Sequence, residues 1–361
     1  MLTISGRCDR CLIAYGGLAA ANRFRAPFVR SHTFDYNDHA VAKATCREEG
    51  PMYSAEDVQK AVIPVGGLGT RLLPVTKVLP KELLPVGRRP VVQYVVEEMR
   101  AAHLEHICLV TGRKKDLIQE HFDHDPELVR HLQDRGSDEL LAELAYLESG
   151  LHLTYVRQSG PQGLADALGL AADFVGDKPF VVALGDSMVC EPEMGSLVRR
   201  LVEEHIRKDA SATIAVEAVP PEKLRQYEVV RPAESAGAED DVFEVVDVVP
   251  NPQPDEAPSH LALAARFVFS PVLFSAIRRT RPVRGGETLL TDAIRILLGQ
   301  GDTVQAVRLS PTQRRHDIGS FSGYYRAFLE FALMDPYFSD EVRTYLEEAA
   351  AREVEWEDEE C

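Results

Sequence analysis

Gly66, Gly67, Gly69, Thr70 and Arg71 follow directly on an apolar run, Ala61 to Val65, and Lys77 and Lys81 lie a short way beyond. Glycines in such a loop leave backbone N–H groups bare, so a phosphate chain can approach the main chain closely. Arg71, Lys77 and Lys81 supply counter-charge. A strand, a glycine loop and then these cations suit the binding of a nucleoside triphosphate and the stabilisation of charge on its phosphates. The spacing departs from two familiar loops. Gly66, Gly67 and Gly69 lack the third glycine of a dinucleotide fingerprint, and no Gly-Lys-Ser/Thr closes a P-loop. A second candidate is Asp186, which ends Leu184-Gly185-Asp186 after the apolar run Pro179–Ala183. An acid at the end of a buried parallel strand faces the ligand crevice and can hold a metal; capping a helix or turn is the other role open to it.

These residues need a scaffold, and the pattern from Gln59 onward alternates strand and helix. Strands are expected at Ala61–Val65, His106–Thr111, Leu153–Gln158 and Phe180–Leu184. Between them fall helices at Val91–Ala102, Leu117–Phe122, Leu128–Leu147 and Leu164–Phe174. A helix over Gly195–Lys208 and a strand over Ala212–Ala218 come next. The Pro-, Glu- and Asp-rich stretch 219–260 contains a strand-like VFEVVDVV, and Leu261–Phe269 is a further strand. Helices around 272–279 and 289–298, a strand over Thr303–Leu309 and a helix from Ser322 to Met334 complete the pattern. Alternation of this kind predicts an α/β fold: a doubly wound, mostly parallel, Rossmann-like sheet with helices on both faces and ligands at the carboxyl ends of its strands. Pro74, Pro80 and Pro85 keep the segment after the glycine loop largely non-helical.

The bulk numbers narrow the function class. At 361 residues the chain can bury a sizeable core, and 45% of it is apolar. The formal charge of −17 argues against wrapping nucleic acid or binding an anionic membrane, since both need a basic face. No apolar run approaches the roughly 20 residues of a membrane span. Six scattered cysteines fit a reducing, cytoplasmic compartment. Cys8 and Cys11 form a CxxC with His32, His39 and Cys46 downstream, but the spacing matches no standard zinc module. Arg7 and Arg10 precede CLIAYGGLAAA, whose apolar core is short and interrupted for a signal peptide.

The string GGLGTRLLPVTKVLPKELLPV closely resembles the signature of bacterial sugar-1-phosphate nucleotidyltransferases, specifically the UTP–glucose-1-phosphate uridylyltransferases. The resemblance runs on through most of the chain. It implies that the aspartate of the LGD motif, Asp186, holds Mg²⁺, a hard cation suited to carboxylate and phosphate oxygens. It implies a partner carboxylate in Asp317, within Arg315-His316-Asp317-Ile318-Gly319; the other role open to Asp317, capping the next helix, could fall to Ser320 or Ser322. Gln158 and Gly163 match the segment that reads the uracil, where a side-chain amide offers both donor and acceptor to a pyrimidine edge. Gly66, Gly67, Gly69 and Thr70 would cradle the triphosphate, and Arg71 and Lys81 would stabilise charge between the α-phosphorus and the leaving group. Thr291-Asp292-Ala293-Ile294 also matches and reads as a helix start. Family members begin near Met52, so residues 1–51 are expected to be a disordered extension or a mis-assigned start. Residues 52–340 then form the nucleotidyltransferase domain, and 341–361 a C-terminal helix and the acidic tail EVEWEDEE.

Three departures from the family fall on the sugar side. Gly163-Leu164-Ala165-Asp166 stands where the family has Gly-Leu-Gly-His, and Tyr227-Glu228 where it has Tyr-Gly. Val249-Pro250-Asn251-Pro252 replaces Val-Glu-Lys-Pro, whose glutamate holds sugar hydroxyls and whose lysine neutralises the sugar phosphate. Removing one charged donor at a developing phosphate centre costs roughly 2.7–4 kcal/mol. Asp166, Glu228 and Asn251 therefore mark an altered sugar side, with Lys223 or Arg225 as possible compensation. The expected activity is transfer from UTP to glucose 1-phosphate, with Mg²⁺, in a homo-oligomer. Two alternatives stay open: another sugar 1-phosphate, or a non-catalytic nucleotide-binding paralogue. His316 is expected to pack, since the attacking phosphate is already anionic and needs no base.

Overall fold

The computed structural model describes residues 52–148, 150–237, 240–282 and 286–351. The expectations for residues 1–51 and for the acidic run 353–360 lie outside these residues.

In chain order, β1 (Lys60–Pro64) runs into the glycine loop and three single 3₁₀ turns at Thr70–Leu72, Val75–Lys77 and Lys81–Leu83. A short hairpin, β2 (Pro85–Val86) and β3 (Arg89–Pro90), feeds α1 (Val91–Ala101). Then come β4 (His106–Thr111), α2 (Asp116–Phe122), α3 (Pro126–Asp134), α4 (Asp138–Glu143) and β5 (His152–Arg157). Helices α5 (Leu164–Gly169) and α6 (Ala172–Val175) lead to β6 (Phe180–Ala183) and β7 (Ser187–Cys190). Helix α7 (Ser196–Arg207) is followed by β8 (Ala212–Ala218), β9 (Glu228–Pro232), β10 (Val242–Pro250) and β11 (Leu261–Phe269). The described chain closes with α8 (Val272–Ile277), α9 (Leu290–Gly299), β12 (Val304–Arg308), β13 (Arg314–Asp317), α10 (Phe321–Leu333) and α11 (Ser339–Ala351).

Among the described residues nine strands form the main sheet, in the order β5-β4-β1-β6-β11-β8-β12-β10-β9. The period-2 geometry of a strand explains how both faces are covered. Val62, Cys108, Val110 and Val182 point to one side, against α5, α6, α8 and α9. Ala61, Ile63, Ile107, Leu109 and Val181 point to the other, against α1 and α7. Burial on both faces is why these strands read as continuous apolar runs rather than alternating ones.

The α/β class with helices on both faces holds, and two details differ from expectation. The sheet is mixed: β5, β4, β1 and β6 are parallel, as are β8 and β12, but β11 runs antiparallel to both of its main neighbours and β10 to both of its own. The apolar pattern of a buried strand is the same in either direction, so sequence periodicity carries no sign of it. The single helix expected over Leu128–Leu147 is α3, α4 and a 3₁₀ turn, because Gly136 adopts a left-handed φ of 66° and ends α3. No helix among the described residues is long and apolar enough to cross a membrane.

Where β11 meets β8 its register shifts between Leu263 and Phe267, and Ala265 there takes a left-handed φ of 63°. This bulge points Arg266 at α1. Fully buried, Arg266 donates Nε to Glu98 Oε1 (2.9 Å) and Nη2 to Glu98 Oε2 (2.6 Å) and to the Ser187 carbonyl (2.8 Å). The Ala265 carbonyl accepts from Arg266 Nη1 (3.1 Å) and from the Leu184 N–H (3.1 Å). One guanidinium thus fixes both ends of the turn that carries Asp186. Glu98→Ala would leave this charge buried without its carboxylate. We expect a loss of about 3–5 kcal/mol in urea unfolding, much of it recovered by the double change Glu98→Leu/Arg266→Met; a loss under about 1 kcal/mol would refute the clamp.

Candidate active site

The glycine loop leaves the end of β1 with the Val65 N–H donating to the Val110 carbonyl at 2.9 Å. A side chain on Gly66 would come within 3.2 Å of Gln158 Oε1, and one on Gly67 within 3.3 Å of Lys81 Nζ. Bare backbone therefore runs between the candidate base-reading amide and a candidate phosphate-binding cation. Thr76 Oγ1 donates to the Gly69 carbonyl at 2.7 Å and closes the loop. Thr70 and Arg71 begin the first 3₁₀ turn and are exposed.

Asp186 and Asp317, far apart in sequence, are brought together by a two-stranded antiparallel sheet. Strand β7 pairs with β13 so that Asp317 lies opposite Ser187, and the Ile318 N–H donates to the Asp186 carbonyl at 3.2 Å. Lys81 Nζ donates to Asp186 Oδ2. Burial opposes charge on Lys81, but Asp186, Glu82 and Asp317 around it raise its pKa above the ordinary lysine value. Burial likewise pushes Asp186 up, yet the charge and hydrogen bond of Lys81, with Arg71 beyond, bring its carboxyl below the usual range. The neighbouring Glu82, whose charge favours the charged form of Lys81, is buried and accepts from Lys115 Nζ at 2.6 Å. Asp317 Oδ1 accepts from the Gly319 N–H at 2.8 Å. A side chain on Gly319 would strike both Asp317 Oδ1 and Arg71 Nη2, each at 2.9 Å, so glycine leaves Arg71 room beside Asp317. Ser320 caps α10 by accepting from the Gly323 N–H at 3.2 Å, which leaves Asp317 out of that role.

The described residues hold no cluster of three or more His, Cys, Asp or Glu that could bind a metal. Two carboxylates without nitrogen or sulfur partners suit Mg²⁺, which takes one or two carboxylates and completes its shell with water and substrate phosphates.

Gln158, just past β5, is buried, and its Nε2 donates to the Gly163 carbonyl (3.2 Å) and to Asp166 Oδ2 (2.7 Å). Asp166 was expected on the sugar side. As the third residue of α5 its carboxylate instead reaches back to the strand end and orients the Gln158 amide, with Oε1 turned towards Gly66. Gly163 has a φ of 96°, and a Cβ there would lie 2.3 Å from the Thr288 carbonyl. That loop is stitched by the Thr288 N–H donating to the Gln162 carbonyl (2.8 Å) and the Asp166 N–H donating to Thr288 Oγ1 (3.0 Å). Asn251 also differs from expectation. It takes a left-handed φ of 48°, its N–H donates to the Tyr227 carbonyl (3.0 Å) and its Nδ2 to the Arg225 carbonyl (3.2 Å), so its side chain fastens a turn. Glu228 is half-buried, and burial pushes its carboxyl up against the opposing charge of Arg315.

A cleft of about 310 Å³ opens on Asp317 and is lined also by Tyr227, Lys223, Arg314, Arg315 and Arg326. Sequence reasoning named Lys223 only as one possible compensation and missed the three arginines. Arg314-Arg315 directly before His316-Asp317 was the available signal. Arg315 donates Nε to Glu217 Oε1 at 2.6 Å and lies 4.6 Å from the centroid of the Tyr227 ring. His316 is buried edge-on to Phe331 at 5.6 Å, and burial lowers its pKa, as suits a packing residue.

A glycine loop with two cations, facing one carboxylate past a strand of the main sheet and a second on the small β7–β13 sheet, is the arrangement of a nucleotidyltransferase. Residues 60–332 match the family model described as nucleotidyl transferase, and the chain belongs to that family. Within it, the chain is 38% identical to UTP–glucose-1-phosphate uridylyltransferase of Bacillus subtilis over 291 residues, covering 80% of this chain and 96% of the relative. It is 39% identical to UTP–glucose-1-phosphate uridylyltransferase 2 of Streptococcus pyogenes over 291 residues, with 80% and 95% covered. The solved structure of UTP-bound UGPase from Acinetobacter baumannii matches with a TM-score of 0.73 at 34% identity, covering 81% of this chain and 99% of that one.

Gly163→Ala forces a side chain into a left-handed site against a carbonyl. We expect a stability loss of about 1–3 kcal/mol and weaker protection of the fold by a nucleoside triphosphate in thermal melts. Unchanged melts with and without nucleotide would show that the Gly163 turn does not set the Gln158 pocket.

Proposed function

We propose that the chain transfers a uridylyl group from UTP to glucose 1-phosphate, giving UDP-glucose and pyrophosphate. The observation that carries this reading is the meeting of Asp186 and Asp317 with Lys81 and Arg71 beside the bare backbone of Gly66 and Gly67. An oxygen of the sugar phosphate attacks the α-phosphorus, the bond to the β-phosphate oxygen breaks, and pyrophosphate departs with the electron pair. No proton has to move, so the protein's task is positioning and charge neutralisation. Gly66, Gly67, Gly69 and Thr70 receive the triphosphate, Lys81 and Arg71 meet the charge that builds between the α- and β-phosphates, and Gln158 Oε1 meets the uracil edge with Gly163. Asp186 and Asp317 would hold Mg²⁺, which when bound screens the phosphate charge. The relatives named for this activity support the substrate pair. The enzyme would work in the cytoplasm, where UTP is made, with residues 52–340 as its catalytic domain. The loss of the sugar-side Glu-Lys pair at Pro250 and Asn251 favours a second reading, the same chemistry on a different sugar 1-phosphate.

The test is pyrophosphate release with UTP, Mg²⁺ and glucose 1-phosphate beside a panel of other sugar phosphates. Release with glucose 1-phosphate should fall about a hundredfold or more in Asp186→Asn and stop on chelation of Mg²⁺. Silence across the panel, with UTP binding intact, would overturn the enzyme reading.

We also infer self-association through the α10–α11 region, where Tyr325, Phe328, Leu329, Met334, Tyr337 and Phe338 are each exposed. Apolar surface of this kind on a chain of net charge −17 suits a second copy better than a charged partner. Light scattering should return at least twice the chain mass, and Tyr337→Glu/Phe338→Glu should lower it to one chain; a monomeric parent protein would exclude the interface.

A further inference from the structure

Resting on the transferase reading, we propose that Lys223 and Arg326 form the seat for the phosphate of the sugar 1-phosphate, in place of the lysine that this chain lacks. The position of that lysine is taken by Asn251, whose amide is spent on the Arg225 carbonyl and which does not line the cleft. Asn251 is linked to the cleft wall through its N–H, which donates to the carbonyl of Tyr227, and positive charge is supplied to that cleft by other elements. Lys223 comes from the 3₁₀ turn Pro221–Gln226 that links β8 to β9, and Arg326 from α10. Both line the cleft that opens on Asp317.

The four cations of this cleft divide into two kinds. Arg315 is committed to Glu217 and to the face of Tyr227, and Arg314 to Glu330 at 3.0 Å. These pairs consume the acids Glu217 and Glu330 and leave the lining close to neutral. Lys223 and Arg326 have no acidic partner among the described residues, so they carry the surplus positive charge of the cleft. Asp317, the remaining acid of the lining, lies 3.8 Å from Arg315 Nη1 and accepts from the Gly319 N–H, so the four cations of the lining outnumber its three acids by one. A volume of about 310 Å³ lies at the small end of the range for small-molecule sites, roughly 300–1,000 Å³. A small, open cleft with two unpaired cations beside a metal-type carboxylate takes a compact phosphomonoester. Tyr227 lines the same wall and holds Arg315 against its ring.

The experiment uses the full chain and the variants Lys223→Ala, Arg326→Ala, their double and Lys223→Arg. In the forward reaction the KM for glucose 1-phosphate should rise about tenfold in each alanine variant and about a hundredfold in the double, the size expected for losing a bond to a charged group. The KM for UTP should stay within about twofold, Lys223→Arg should retain most of the affinity, and thermal melts should not move. Calorimetric titration of glucose 1-phosphate, with neutral glucose as control, reads the seat independently of turnover. Binding lost in the double variant supports the seat even where no sugar phosphate is turned over, an outcome that would fault only the transferase reading. Equal glucose 1-phosphate binding by parent and double variant, or an unchanged KM in an active enzyme, overturns the proposal.

Discussion

A single buried guanidinium organises the catalytic end of this protein. Arg266 sits in the middle of the sheet, where an unpaired charge would cost several kcal/mol, and it is tolerated because each of its edges meets an oxygen. The partners belong to three elements: Glu98 on α1, Ser187 at the start of β7, and the bulge of β11 itself. That arrangement ties a helix and two strands to one another at the turn carrying Asp186. Because β7 pairs with β13, the same clamp also sets where Asp317 can lie. The left-handed backbone at Ala265 is part of this device, since the bulge directs Arg266 away from β8 and presents a carbonyl to Leu184.

Around the clamp the site is built by alternating charge. Lys115 supports Glu82, Glu82 adjoins Lys81, Lys81 meets Asp186, and Arg71 reaches the Asp317 side. Each ionised group has an opposite neighbour, which is how a cluster of this density persists with limited access to water. A triphosphate carries more negative charge than one divalent cation cancels, so Lys81 and Arg71 are the charges such a ligand would meet in this array. This explains how a chain of net charge −17 can bind polyanionic substrates: the local balance governs binding, and the global charge governs solubility and long-range encounter.

The sugar-side departures have unequal consequences. Asp166 accepts from Gln158 Nε2 and holds that amide in one orientation, so the departure at this position bears on the Gln158 pocket. Asn251 has become a turn residue in a conformation that asparagine accepts more readily than most side chains. Glu228 remains half-buried near Arg315. Lys223 and Arg326 line the cleft that opens on Asp317, and Asn251 does not.

The local pattern of residues was enough to place most strands and helices, the glycine loop and its cations, and Asp186 at a strand end. Apolar runs, glycine and proline act through neighbouring backbone, so their effects are written in adjacent residues. Resemblance added Asp317 and the Gln158–Gly163 pair. What only the tertiary structure decided was direction and company. Strand polarity at β11 leaves no trace in periodicity, and the break of the long helix at Gly136 depended on one residue turning left-handed. The meeting of Arg266 with Glu98 joins residues 168 positions apart. Contacts at that separation are chosen by how the sheet and helices pack, and no local pattern of side chains encodes which partners packing will bring together.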